Sequence, residues 1–488
     1  MSRPVLAIVL ALAFGLLWRL LRRAGSTQPR GSALDVAAAT AGLLAAVFAL
    51  KIIPAIVPPE GLLRDDFLFP LWALWERGRG WWWFAPAVAG VAAILVARRS
   101  GLLDRVPAPV FLAGAAAIAW VVWISLSLTW GGWPEGLIRP FDREVDYQAD
   151  VARFSSIGEI WRTYVQRQES LSLHGSTHPP GAVTVLFVFT RLAGESMPAV
   201  CLAVVALGAF TLVPLYAWAR VHLDEAGARA ACLIWITTPS VLLYGATCMD
   251  MVFAIPLVGS AAAYLGRAAI AARRGGDPPR RAAAWGALAG LLLGVGLLFS
   301  FSSSVLAIIY MGVAAVALAR RDGTGRGEVA RLAAAGGACV GVLGIAYLAG
   351  FDEWACLRHA MTIDARQAPA FVSASYWAMT RLMGAMDFVV MSGFAAGALW
   401  LRELCSRRDD PDLAAWGRLS ALACLAVLAA GVYKIGETGR IWLFLVPLVV
   451  LSAARVTLAR GRGGGVEAVI VLQAAQAFLF EYFLDTRW

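Results

Sequence analysis

Polar positions in this chain rarely alternate with apolar ones at a strand or helix period; they gather at the ends of long apolar runs. Runs of about 17–24 residues recur along the whole chain, each long enough to cross a bilayer as a helix. Hydropathy length gives about fourteen spans, at roughly 4–20, 34–57, 81–97, 107–129, 197–218, 229–246, 249–268, 283–299, 301–319, 329–349, 385–401, 415–432, 441–456 and 467–484. The apolar stretch Pro180–Leu192 is too short to span, and Gly194-Glu195-Ser196 and a full span follow it. It reads as a helix lying along the membrane interface. The expected fold is an all-α polytopic membrane protein, with about 14 transmembrane helices and an outer-face loop bearing interfacial helices. Gly286, Gly290 and Gly294 suit close helix packing in lipid.

Composition agrees. The chain is 60% hydrophobic and 15% charged, with mean hydropathy +0.70, values that no soluble globule shows. A net charge of +10 would suggest nucleic acid in a soluble protein. Here the arginines punctuate apolar runs, so they report topology and imply no nucleic-acid partner. Lys51 and Lys434 are the sole lysines. The run Pro4–Leu17 is followed, not preceded, by its basic cluster (Arg19, Arg22, Arg23), so it reads as a retained span and not as a secretory signal. Seven cysteines, at 201, 232, 248, 339, 356, 405 and 424, show neither metal-finger spacing nor a disulfide framework.

Arginine clusters at 19–30, 98–105, 267–281, 320–331, 402–418 and 455–462, with a weaker one at 220–229, mark the cytoplasmic ends. Both termini are then outside. The same bias puts loops 58–80, 130–196, 350–384 and 433–440 outside, together with the turn at Met249-Asp250. Every polar constellation in the sequence falls on that side.

Asp142, Asp146 and Asp150 recur at a spacing of four, with Arg143, Glu144 and Tyr147 among them. On a helix the three acids form one stripe, which like-charge repulsion weakens unless a cation faces it. They read either as a solvated helix start after Pro140 or as a catalytic base above the membrane. A second carboxylate could hold a divalent ion such as Mg or Mn. The run His174-Gly175-Ser176-Thr177-His178-Pro179-Pro180-Gly181 reads as a loop, given its prolines and glycines. Its two histidines suit hydrogen bonds to a phosphate or sugar better than metal binding.

Asp250, at an outer junction of two spans, is a costly membrane-edge acid and could share a cation with Asp142 and Asp146. Lys434-Ile435-Gly436-Glu437-Thr438-Gly439-Arg440 could cradle a phosphate through Lys434 and Arg440, or hold an ordinary Glu437–Arg440 salt bridge. Loop 350–384 reads as an interfacial helix with anchoring aromatics, or as a lid over an acceptor site. The tryptophan triplet 81–83 reads as interface belt.

These residues carry a resemblance. An acidic outer loop containing Asp146-Tyr147, then His178-Pro179-Pro180 opening an interfacial helix, resembles the GT-C superfamily, in its protein-mannosyltransferase and aminoarabinose-transferase branch. The likeness continues through Tyr216-Ala217-Trp218-Ala219-Arg220 and Thr238-Pro239-Ser240 to Asp250, about residues 107–270. It implies a GT-C-like core at 107–270, a three-span extension at 1–106 and a C-terminal bundle at 271–488. It also implies an integral membrane glycosyltransferase of the bacterial inner (cytoplasmic) membrane, active at the extracytoplasmic face. Such an enzyme moves sugar from a polyprenyl-phosphate donor to a lipid, glycan or protein acceptor. An acid of the first outer loop would be the base, with Asp146 and Asp142 competing and Asp150 beside them. Tyr147, His174, His178, Asp250, Lys434, Glu437 and Arg440 would bind substrate. The family's adjacent Asp-Glu pair is split here by Arg143. A transporter or lipid flippase is the rival reading; it predicts charges at mid-span, whereas here the acids gather at one face.

Overall fold

The computed structural model describes residues 32–50, 74–75, 80–319, 325–367, 374–405, 411–430, 437–458 and 464–485. The expected span 4–20, Lys51 and Lys434 lie outside the described residues. Nearly all the described chain is helical; a two-residue antiparallel pairing of Leu74–Trp75 with Leu484–Asp485 is the exception. Among the described residues, seven helices are long and apolar enough to cross a membrane: Trp81–Arg99, Ala108–Trp130, Met197–His222, Asp250–Arg274, Phe301–Ala319, Gly325–Leu348 and Gly465–Phe483. An eighth candidate is a pair, Thr380–Met391 and Phe394–Leu404, bent by 114° at Ser392-Gly393. Four shorter apolar helices accompany them: Ala33–Val47, Gly181–Leu192, Gly417–Leu428 and Leu443–Leu458.

Several expected spans exist as pieces. The run 229–246 breaks at Thr238-Pro239 into Glu225–Thr237 and Pro239–Tyr244, because proline lacks the N–H that would continue the ladder. Many apolar side chains on the long helices face outward, including Val96, Val340, Ile345 and Leu348. Only a hydrocarbon surround makes such faces stable, and the chain is an integral membrane protein.

Helices Pro279–Leu297 and Gly325–Leu348 make the closest packing. A Cβ at Gly286 or Gly290 would run into the backbone of Arg331 or Ala335. Small residues let the two backbones approach where lipid gives no hydrophobic drive to associate. The arginine-rich ends are tied by ion pairs between segments distant in sequence. Arg98 meets Glu467 at 2.8 Å, Arg402 meets Asp35 at 2.6 Å, and fully buried Arg331 meets Asp277 at 3.0 Å and Glu328.

Widening the close contact tests the packing. Gly286→Val should lower stability by about 1–3 kcal/mol, the usual cost of overpacking. Thermal unfolding in detergent checks it, and an unchanged midpoint would show that the two backbones are not in contact.

Candidate active site

After Trp130 the chain reverses through Gly131 and Gly132, both at positive φ, into a single π-helical turn, Trp133–Ile138. The expected acidic stripe does not form. Residues 141–147 are turns and bends, and the helix that follows, Gln148–Val151, has four residues. Three acids four apart would repel on a helix with no cation opposite, and each here takes a different environment. Asp142 is exposed and lies outside the pocket described below. Asp150 is fully buried and holds the loop together. It accepts from the Ser172 N–H at 2.9 Å and the Ser172 hydroxyl at 2.6 Å, with Arg153 at 3.4 Å. Burial raises its proton affinity above the ordinary carboxylate value, while the Ser172 bonds and Arg153 pull the other way.

Asp146 faces the interior. Its Oδ1 lies 2.9 Å from His174 Nδ1, and its Oδ2 lies 3.2 Å from Arg143 Nη2. His174 is not in a loop as the prolines suggested. Ser172 caps a short helix, Leu173–Thr177, by accepting from the Gly175 N–H at 3.0 Å. Tyr164 fixes the same turn, donating its hydroxyl to the Gly175 carbonyl at 2.9 Å. The helix ends at His178, whose Nδ1 lies 3.1 Å from the His174 carbonyl. Pro179 and Pro180 then lead into Gly181–Leu192, anchored where the Gly181 N–H meets the Leu298 carbonyl at 2.8 Å.

Asp250 occupies the first turn of Asp250–Ala261. Opposite it, Arg440 projects from the short helix Thr438–Ile441. Arg440 Nη2 lies 2.8 Å from Glu437, and its Nε lies 3.5 Å from Asp250, an ion pair too long for a hydrogen bond.

These elements line one pocket, formed by Asp146, Tyr147, His174, His178, Cys248, Met249, Asp250, Ser300, Glu437, Arg440 and Ile441. The structure thus brings together Asp146, Tyr147, His174, His178, Asp250, Glu437 and Arg440 from the sequence-derived set. It leaves out Asp142 and Asp150. Tyr147 is buried with its ring 5.5 Å from His174 and 5.7 Å from His178. Burial, and next the Asp250 charge, push its phenol well above the ordinary value, so it stays a neutral hydrogen-bond donor.

A divalent ion shared by Asp142, Asp146 and Asp250 does not fit this donor set. Asp142 is exposed and lies outside the pocket, Asp146 is engaged by Arg143 and His174, and Asp250 faces Arg440. Among the described residues no group of three or more histidines, cysteines or acids could hold a metal ion.

Helix Glu353–Gln367 of loop 350–384 lies against the histidine turn. Buried Gln168 donates to the carbonyls of Ser176 and Cys356, at 2.8 and 3.0 Å, and so joins the two. Glu353, at the start of that helix, has no hydrogen-bond partner for either oxygen among the described residues. Burial, and next Asp352, push it up to about 8. Sequence reasoning missed Ser300 and Cys248 as lining groups, and also Asp387, which accepts from the Gly439 N–H at 2.6 Å. An acid inside an apolar run was the available signal for Asp387; for Ser300 and Cys248 there was none.

Comparison with known families gives one match. The family model described as dolichyl-phosphate-mannose-protein mannosyltransferase, a GT-C superfamily family, matches residues 177–343. The matched part holds His178, Pro179, Pro180, Asp250 and Ser300; Asp146 and His174 precede it. The match supports a membrane glycosyltransferase of the GT-C type and does not favour the transporter or flippase alternative. No curated protein gives a significant match to the chain.

Two outcomes follow. Asp150→Ala should destabilise the protein by about 1–3 kcal/mol, the cost of leaving the buried Ser172 donors unpaired, while Asp142→Asn should leave thermal stability unchanged; equal midpoints for both variants would contradict the placement. For Glu353, a proton affinity raised on folding contributes stability that is complete below the ordinary glutamate value and lost as pH rises through about 8. Thermal midpoints measured from pH 5 to 9 should fall across that window and flatten in Glu353→Gln.

Proposed function

We propose that this membrane glycosyltransferase of the GT-C type moves a sugar from a polyprenyl-phosphate donor to an acceptor hydroxyl or amine, at the extracytoplasmic face of a bacterial inner membrane. One observation carries the reading. The Asp146–His174 pair and the Arg440 guanidinium come from loops nearly three hundred residues apart and line one pocket, together with His178.

The parts match the needs of the reaction. As the acceptor oxygen bonds to the sugar's anomeric carbon, the bond from that carbon to the donor phosphate breaks. The acceptor loses a proton and the departing prenyl phosphate gains negative charge. The Asp146–His174 pair is placed to take the proton. In the tautomer whose Nδ1–H donates to Asp146, the other ring nitrogen, Nε2, is the one that can accept the acceptor's proton. Arg440 is placed to stabilise the phosphate, where exclusion of water strengthens the attraction. Tyr147 and His178 supply hydrogen bonds to the sugar or phosphate. Asp250 and Glu437 hold the guanidinium before the donor arrives. Lys434 remains a proposed phosphate contact on sequence grounds. No step here is assigned to a metal.

The test is transfer by purified protein in lipid, using polyprenyl-phosphate-linked mannose and aminoarabinose as donors. Asp146→Asn should cut kcat by about 10²–10⁴, and Arg440→Gln should cut kcat/KM by about 10²–10³. Absence of transfer from any such donor, or full activity of both variants, would overturn the proposal.

A further inference from the structure

Arg440 reaches the pocket from a helix of only four residues, Thr438–Ile441, too short to hold itself in place. The residue at its N-cap, Glu437, makes no capping bond, because its carboxylate is turned onto the Arg440 guanidinium at 2.8 Å. The first N–H groups of the turn therefore need an acceptor from elsewhere. Asp387 supplies it. Its carboxylate accepts from the Gly439 N–H at 2.6 Å and also takes the Thr438 N–H.

Asp387 is 2% exposed and sits one turn before the break at Ser392-Gly393, where two helices meet at 114°. A carboxylate there is costly, and a leucine would pack the helix as well. Close approach confirms the fit. A Cβ at Gly439 would collide with the Met391 side chain, so the turn lies flat against the helix that carries Asp387. The direction in which the next residue, Arg440, leaves that turn is thus set by a side chain that lines no part of the pocket.

We propose that Asp387 is a positioning residue for the donor's phosphate group: it fixes the Thr438–Ile441 turn so that the Arg440 guanidinium meets the prenyl phosphate. The inference rests on the glycosyl-transfer reading above. Asparagine keeps the volume and an acceptor oxygen at this site and alanine removes both, so the two substitutions separate loss of the side chain's contact from loss of its charge.

The experiment compares Asp387→Asn, Asp387→Ala and Gly439→Ala, each alone and combined with Arg440→Gln, in the donor-transfer assay. Binding of sugar-free polyprenyl phosphate to the same purified proteins is measured in parallel. Asp387→Ala should lower kcat/KM for the donor about tenfold or more and weaken polyprenyl phosphate binding in step. Asp387→Asn should stay within about threefold of the parent. In the Arg440→Gln background, Asp387→Ala should cost almost nothing further, because its effect runs through that guanidinium. Should Asp387→Ala fail to fold, Gly439→Ala, which pushes the turn off the helix, must show the same loss and the same non-additivity. Full donor kcat/KM in Asp387→Ala, or an equal loss with and without Arg440, would overturn the inference while leaving glycosyl transfer standing. No transfer by the parent protein would instead overturn the reading beneath it.

Discussion

A guanidinium only 11% exposed cannot sit at the edge of a membrane without anions around it, and among the described residues Glu437 and Asp250 face Arg440. Glu437 comes from its own turn; Asp250 comes from a helix nearly two hundred residues earlier. The need to neutralise this cation draws the C-terminal turn onto the head of Asp250–Ala261. The pocket exists because that happens. Tyr147, packed 6.2 Å from Phe253 of the same helix, then brings the acidic loop to the other side.

The loop after Trp130 is held by buried hydrogen bonds as well as by apolar burial. Asp150, Ser172, Tyr164 and Gln168 form a buried set that seats the histidine turn. Asp146 and His174 are the members left facing inward. Three acids that look equivalent in the sequence differ in place: Asp142 is exposed, Asp146 lines the pocket and Asp150 is buried in the loop.

That difference was not legible beforehand. Charge bias at helix ends grouped Asp146, His174, His178, Asp250 and Arg440, and all five line one pocket. Which acid lines the pocket depends on turn geometry between Ile138 and Gln148, and a spacing of four suggested a helix that repulsion disfavours. His174 was assigned to a loop since Gly175 and two prolines suggested one; the Ser172 cap, a short-range signal, outweighed them. Span lengths were read well where runs are unbroken, as at Ala108–Trp130 and Gly465–Phe483. They were read less well where proline or glycine splits a run, at Pro239 and Gly393. Asp387 lay hidden as one acid in an apolar stretch, its partner fifty-two residues away.

The family match covers residues 177–343, so it holds His178, Asp250 and Ser300 of the pocket, while Asp146 and His174 precede it and Glu437 and Arg440 follow it. The account therefore depends on the Asp250–Arg440 contact that ties the later loop to this site. A double-mutant cycle with Asp250→Asn and Arg440→Gln, followed by unfolding of the purified protein in detergent, measures that contact directly. The account predicts a favourable coupling above about 0.5 kcal/mol. Strictly additive effects of the two substitutions would contradict it.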